Sequence, residues 1–516
     1  MNNPMLEVLL ARCGGHTGHD AAGHAVLIDA ASGRTRSAAA FWAGVQAAAL
    51  RLREHGVRPG DLVAVTVPLS ETFMHVVFGC FAAGAAPALL DPGSDPHVAA
   101  AAVRRLRPRL WLTATGDEDG AIAAGELWTD GDVSPEGGFE PVEVAPEHPC
   151  MVIHTSGTTG EPKAVTWTCA NVRSQLDQQR SYDPHGRLRT EFVNVSWVAL
   201  WAMGADRCSI LPAAGPAGPS LVDVAAIVEQ MHAHGCDYTF ASMALWRRIL
   251  THCRDNDLPM PPVQVAATSG APVNLSVLAD LVDHLPAARV DVLYASTEAP
   301  PPLAVLDARA LVEATDACVR QGRGIPVGHP MPDTRVAIIN PATPAPSVTD
   351  DDLLPPGRPG EVIVSGPRVT TDYLNRPDLT RAAKLHHPNG TLWHRMGDIG
   401  YLDHTGMLWF LCRKKHLIDT PDGWIFPDQQ EHVYAYRTGA YQCVLTRPNP
   451  SSGFYLVLPD GAPAASQHQI SLIAEEMGFP RPRLLRHPGP FPVDSRHHSK
   501  IDRAAVAAWV LTETGN

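Results

Sequence analysis

Twice along this 516-residue chain, amphipathic helical patterns give way to short β-branched runs, an alternation that few architectures accommodate. FWAGVQAAALRLREHG, starting at Phe41, spaces its apolar residues helically and stops at Gly56, a natural terminus. VRPGD then turns into LVAVTVP, which reads as a buried strand. A second helix around ETFMHVVFGCFAAG leads to AAPALLDP. The pattern resumes after residue 220, with LVDVAAIVEQMHAHG before CDYTFAS and LSVLADLVDHL before ARVDVLYAS. Elements of this length in this order predict an α/β protein of mostly parallel sheets flanked by helices.

Between these blocks, MVIHTSGTTGEPKAVTW begins as a short buried strand, Met151-Val152-Ile153, and breaks into glycines, hydroxyls and one lysine. Gly157 and Gly160 let the backbone turn sharply and expose its N–H groups, as anion-binding nests do. Thr155, Ser156, Thr158 and Thr159 add hydroxyls, and Lys163 adds a mobile cation suited to phosphate. A Walker loop would need its lysine directly after the second glycine. A bare Ser/Thr/Gly run is more often a polar surface turn. Here Lys163, with Pro162 fixing the exit, favours a polyphosphate loop.

A chain of 55.3 kDa exceeds one compact core, so at least two domains are expected. It is 45% hydrophobic and 18% charged, the balance of a globular enzyme with ample buried surface. A net charge of −13 argues against nucleic acid and anionic membranes as partners. Ten cysteines without a CxxC pair read as reduced core thiols. The start, MNNPMLEVLLARCGG, lacks the pattern of a signal peptide, and the longest apolar stretch, residues 76–90, contains Gly84 and Pro87 and is too short to span a bilayer. A cytoplasmic protein with no membrane association is expected. MHAHGC offers His232, His234 and Cys236, but no second matched cluster accompanies them, which disfavours a protein-held zinc.

Composition shifts near residue 340, where NPATPAPSVTDDDLLPPGRPG reads as a loop before a β-rich segment, EVIVSGPRVTTDYL. GDIGYLDHTGMLWFLCRKKHLI reads as two strands around the turn DHTG, followed by a basic cluster. The boundary falls there: residues 1–414 form a large domain containing the β-rich subdomain, and 415–516 a small α/β domain.

Several of these stretches line up in order: TSGTTGEPK, TSGAPV, YASTE, GHPMPDTRVAII, GDIGYLDHTGMLWFLCRKKHLI and SRHHSKIDR. Together they resemble the adenylate-forming superfamily of acyl-CoA synthetases, peptide-synthetase adenylation domains and luciferases, over nearly the whole chain. The resemblance implies ATP and Mg2+ as cofactors, a carboxylic acid as substrate, and a C-terminal domain that moves as a lid. It implies that Thr155, Ser156, Gly157, Thr158, Thr159, Gly160 and Lys163 wrap the leaving phosphates. It makes Glu298 the Mg2+ ligand and Thr297 the α-phosphate contact, although STE at a strand end is by itself more often a helix cap. Ser269, Gly270, Ala271 and Pro272 resemble the turn against adenine, with Tyr294 stacking on the base and Ala295 and Ser296 beside the nucleotide. Asp398 matches the acid that grips the ribose hydroxyls, Arg413 the nucleotide-contacting arginine, and Lys415 the hinge. Lys500, in FPVDSRHHSKI, matches the catalytic lysine of the mobile domain.

Departures from the family pattern narrow the branch. Ala295, Cys412 and Ser499 stand where glycines are usual, and FVNVSWVALWAMG replaces a histidine-containing motif of acyl-CoA synthetases. TDYLNRPDLTRAAKLHHPNGTLWHRMGDIGYLDHTG and LLRHPGPFPVDSRHHSKIDRAAVAAW are most similar to the β-lactone synthetases of olefin pathways. Those enzymes adenylate a β-hydroxy carboxylic acid, whose own hydroxyl closes the lactone and releases AMP. The alternatives are an acyl- or aryl-CoA ligase and a nucleotide-binding sensor without catalysis. Trp197 and Trp201, four apart, either line a dry acyl pocket or belong to the core. The family expectation for assembly is a monomer or homodimer, and the motifs leave the acyl chain open.

Overall fold

A computed structural model describes residues 3–13, 25–30, 32–116, 120–127, 139–155, 163–183, 185–212, 223–269, 273–493 and 501–515, without the side chains of Thr155 and residues 315–320. The first alternating block builds a six-stranded sheet. Its spatial order is Ile122–Ala123, Leu110–Thr113, Leu62–Thr66, Ala86–Leu89, Pro149–Thr155 and Lys163–Thr168. Neighbours are parallel except the last pair, the two arms that flank the glycine-rich segment.

Two paired helices, the second lying on this sheet and the first reaching the edge of the larger one, start and stop for reasons visible in their ends. Ala38–Glu54 starts at Ser37, whose hydroxyl accepts the Ala40 N–H at 3.3 Å. Glu71–Ala83 starts at Ser70 and stops at Gly84, which takes a left-handed φ of 71° that a side chain would resist. The two helices pack closely at Gly79, where an added Cβ would stand 2.9 Å from that of Ala48. Phe41, Val45, Phe73, Phe78 and Phe81 fill the resulting core.

The second block enters a 14-stranded sheet. Ala25–Asp29, Cys208–Leu211, Thr190–Val193, Tyr238–Phe240, Val265–Thr268 and Arg289–Ser296 lie side by side and parallel, as the alternation predicted. Beyond Arg289–Ser296 every pairing is antiparallel, through Ala299–Asp307, Ile325–Pro330, Leu408–Arg413, Leu392–Leu402, Gly360–Ser365 and Arg335–Ile339. The β-rich segment is therefore continuous with the parallel sheet. The cause is local: a two-residue turn at Thr297 and Glu298 folds the chain straight back on its own strand.

After the basic cluster come a ribbon, Ile418–Thr420 with Gly423–Ile425, and a helix, Pro427–Thr438. A three-stranded sheet of Val444–Thr446, Tyr455–Pro459 and Arg483–His487 follows, with helices Gln467–Met477 and Arg503–Thr514. Val433, Tyr434, Leu445 and Leu456 share an apolar cluster with Trp246, Leu278, Leu281 and Leu311 of the large sheet's helices. Among the described residues no helix is long and apolar enough to cross a membrane. Nine cysteines there are free thiols, all but Cys13 buried. His232 meets the Pro259 carbonyl at 3.1 Å, and Cys236 donates to that of Tyr238 at 3.2 Å.

Candidate active site

Tyr294, Asp398 and Arg413 come together at the carboxyl end of Arg289–Ser296, where the parallel strands meet the antiparallel arm. Strand Leu392–Leu402 pairs with Leu408–Arg413 so that Asp398 lies opposite Arg413. The turn between them is built by Asp403, which accepts from the Thr405 N–H at 2.8 Å and the Trp409 indole at 2.9 Å. Register then does the rest. Arg413 Nη1 donates to Asp398 Oδ1 at 2.6 Å, and the Tyr294 hydroxyl, arriving from Arg289–Ser296, donates to Oδ2 at 2.7 Å. Asp398 is 2% exposed, and burial raises its carboxyl, opposed by Arg413 and the Tyr294 hydroxyl. Burial and the adjacent Asp398 hold the Tyr294 phenol well above its ordinary value, so it stays a donor. Each Asp398 oxygen keeps a lone pair, enough to receive a vicinal diol.

Thr297 and Glu298 form the tip of the hairpin between Arg289–Ser296 and Ala299–Asp307, in place of the helix cap that STE alone would suggest. Both sides of the tip are tied down. The Trp167 indole donates to the Thr297 carbonyl at 2.9 Å, and the Thr370 N–H donates to the Glu298 carbonyl at 2.9 Å. The Tyr373 hydroxyl donates to Glu298 Oε1 at 2.5 Å. Burial would raise the Glu298 carboxyl, yet it lies below its ordinary value because the Tyr373 hydroxyl and the Lys384 ammonium favour the charged form. Ser296 donates to Met396 Sδ at 3.7 Å, joining the two strands beside Ala295.

Lys163 opens the strand Lys163–Thr168 opposite Thr155, and its ammonium lies 5.1 Å from the centre of the Tyr373 ring. Ser269 follows the end of Val265–Thr268, beside the strand that carries Tyr294. Ser156, Gly157, Thr158, Thr159, Gly160, Gly270, Ala271, Pro272 and Lys500 lie outside the described residues, as does the side chain of Thr155. Of the two pocket tryptophans, Trp201 is 2% exposed and stacks on Trp167 at 5.4 Å, whereas Trp197 is half-buried and meets the same ring edge-on. Lys415 is exposed within the turn Lys414–His416, next to Lys414, which donates to Glu361 at 2.8 Å.

Three residues that motif reading did not single out crowd Glu298: Tyr373, Lys384 and His394. Lys384 is 1% exposed, and burial lowers its ammonium to about 8 despite Glu298 and Asp372. Burial, with Lys384 beside it, pushes His394 down to about 3, so its ring is neutral at ordinary pH. The only available signal was a lysine and a histidine breaking otherwise apolar strand patterns in AKLH and LWHR.

Among the described residues no three His, Cys, Asp or Glu side chains form a complete metal cage. The Glu298 carboxylate, held in its charged form, is a hard oxygen donor of the kind magnesium takes when its other ligands come from a nucleotide and water, so the residue fits that ion.

A family model described as AMP-binding enzyme matches residues 16–374. The olefin beta-lactone synthetase of Xanthomonas campestris pv. campestris is 29% identical, over 93% of this chain and 91% of that protein. A feruloyl-CoA synthase of Amycolatopsis is 27% identical, over 78% of each chain. The fold matches O-succinylbenzoate coenzyme A synthetase from Bacillus subtilis, solved in complex with ATP and magnesium, at a TM-score of 0.75 and 19% identity, over 95% of this chain and 97% of that one.

Proposed function

The chain belongs to the AMP-binding enzyme family, and from that premise we propose that it converts a β-hydroxy carboxylic acid into a β-lactone through an acyl adenylate. The observation that carries this reading is the similarity to an olefin beta-lactone synthetase, which spans 93% of the chain and runs well past residue 374. It is an adenylate-forming ligase. In the first step a carboxylate oxygen attacks the α-phosphorus of ATP, the bond to the β-phosphate breaks, and pyrophosphate leaves. In the second, the substrate's β-hydroxyl oxygen attacks the acyl carbon, the bond to AMP breaks, and the hydroxyl loses its proton.

The residues divide this work. Asp398, steadied by Arg413 and Tyr294, receives the ribose diol. Thr155 to Gly160 and Lys163 hold the phosphates that depart, Ser269 to Pro272 flank the adenine with Ala295 and Ser296 nearby, and Thr297 contacts the α-phosphate. Glu298 holds Mg2+, which when bound spreads the phosphates' negative charge. Residues 415–516 act as a lid turning about Lys415 and bring Lys500 to the developing charge. The second step gains from tethering, since an intramolecular nucleophile reaches effective molarities on the order of 10⁵ M or more. Trp197 and its neighbours keep water from the adenylate, whose hydrolysis competes with ring closure.

The test is the product. With ATP, Mg2+ and a panel of β-hydroxy acids, and no coenzyme A, the expected products are a β-lactone and AMP in equal amounts. Acids lacking the hydroxyl are expected to release far less AMP. AMP release that ignores the hydroxyl, with a thioester on adding coenzyme A, would instead support a CoA ligase, the reading favoured by the feruloyl-CoA synthase similarity.

A further inference from the structure

Lys384 is a buried ammonium that, among the described residues, has no carboxylate in ion-pair contact. An apolar side chain would fill that space at lower cost, so a structural role alone does not account for it. Its Nζ donates to the Thr370 carbonyl, and lies 3.3 Å from the Thr370 hydroxyl. Thr370 in turn gives its N–H, at 2.9 Å, and its hydroxyl, at 3.2 Å, to the Glu298 carbonyl. Three residues further on, Tyr373 gives its hydroxyl to Glu298 Oε1. One short segment therefore grips Glu298 by backbone and by side chain, and Lys384 fixes that segment from behind. The same segment is tied to the phosphate-loop hairpin, because Tyr373 bridges to Val165 and the Leu374 N–H donates to the Ala164 carbonyl at 2.8 Å.

We propose that Tyr373 and Lys384 are positioning residues forming a seat for Glu298, which occupies Oε1 and presents Oε2 as a single-oxygen ligand to the nucleotide-bound divalent cation. The inference rests on reading Glu298 as the metal ligand and requires no particular acyl substrate. Tyr373 sets the direction of the carboxylate. Lys384 supplies a fixed positive charge that balances the acid before a cation arrives, and stiffens the turn that carries it.

The experiment measures Mn2+ binding by electron paramagnetic resonance, with a non-hydrolysable ATP analogue and no acid present. Variants are Tyr373→Phe, Lys384→Met and Glu298→Gln, alone and combined. Loss of an outer-shell hydrogen bond to a metal-ligating carboxylate weakens binding about tenfold or more, so Tyr373→Phe is expected to bind Mn2+ about tenfold more weakly, and Lys384→Met, which frees Thr370 behind the turn, more weakly than wild type. In the Glu298→Gln background neither is expected to weaken it further, because both act through that carboxylate. Tyr373→Phe removes one hydroxyl and keeps the ring, so it reads the seat even where Lys384→Met lowers the melting temperature. Wild-type affinity in Tyr373→Phe, or losses that multiply with that of Glu298→Gln, would overturn the inference, as would wild-type protein that binds no Mn2+ beyond the analogue's own. Absence of lactone with every acid, alongside the expected Mn2+ pattern, would defeat the lactone reading and leave the seat standing.

Discussion

Asp398 is held by two donors that belong to different parts of the sheet, Tyr294 and Arg413, and this makes its replacement informative. Asp398→Asn keeps the shape, removes the charge and leaves Arg413 facing an amide. The expected result is an ATP KM raised about tenfold or more, since hydrogen bonds to charged groups are the strong ones; an unchanged KM would remove Asp398 from the nucleotide site. His394 gives a second prediction. Its ring is depressed to about 3 by burial and by Lys384, whereas an unfolded histidine titrates near 6.5. Between those values the unfolded chain binds a proton that the folded protein refuses. Folded stability therefore falls as pH drops from about 6.5 toward 3, by up to about 1.4 kcal/mol per pH unit from this residue. Urea midpoints against pH should fall more steeply for the native protein than for His394→Phe, and parallel curves would show that the ring is not buried neutral. Candidate residues for this site could be named from the motifs, but their contacts could not. Tyr294 and Asp398 stand 104 residues apart and meet only through strand register. Lys384 gave only a faint signal for a related reason: in RAAKLHH a lysine reads as an exposed end, and only tertiary packing buries it.

Among the elements, the alternating helices and strands of the parallel half followed directly from periodicity, because each buries one face and ends in a recognisable stop such as Gly84. The antiparallel arm was readable as β-structure, while its continuity with the parallel sheet depended on the tight Thr297–Glu298 turn, which local pattern does not distinguish from a helix start. The C-terminal elements are fastened to one another beside the turn Lys414–His416. Arg503, at the start of the last helix, donates to Glu431 at 2.6 Å and to Asp428 at 3.3 Å, and Asp428 meets the His416 ring at 3.4 Å. A second substrate entering after adenylation would require these elements to swing, whereas an internal hydroxyl would not. Lys415→Pro stiffens the turn Lys414–His416. It is expected to reduce lactone formation no more than it reduces pyrophosphate exchange, within about threefold, since an internal hydroxyl needs no further swing once the adenylate has formed. Exchange that survives while ring closure collapses would contradict this, and would bring the domain swing into the second step.

For the whole molecule, strand Arg289–Ser296 and the turn that follows it join the buried Asp398 to Glu298, and Tyr373 joins Glu298 to Lys163. The central claim is that one carboxylate oxygen is handed to phosphorus and the acyl group is then taken by a hydroxyl of the same molecule. The most direct test supplies a β-hydroxy acid labelled with ¹⁸O at both carboxyl oxygens and analyses the products by mass spectrometry. The account predicts one label in AMP and one in the lactone carbonyl. AMP without label, or label carried into pyrophosphate, would contradict it.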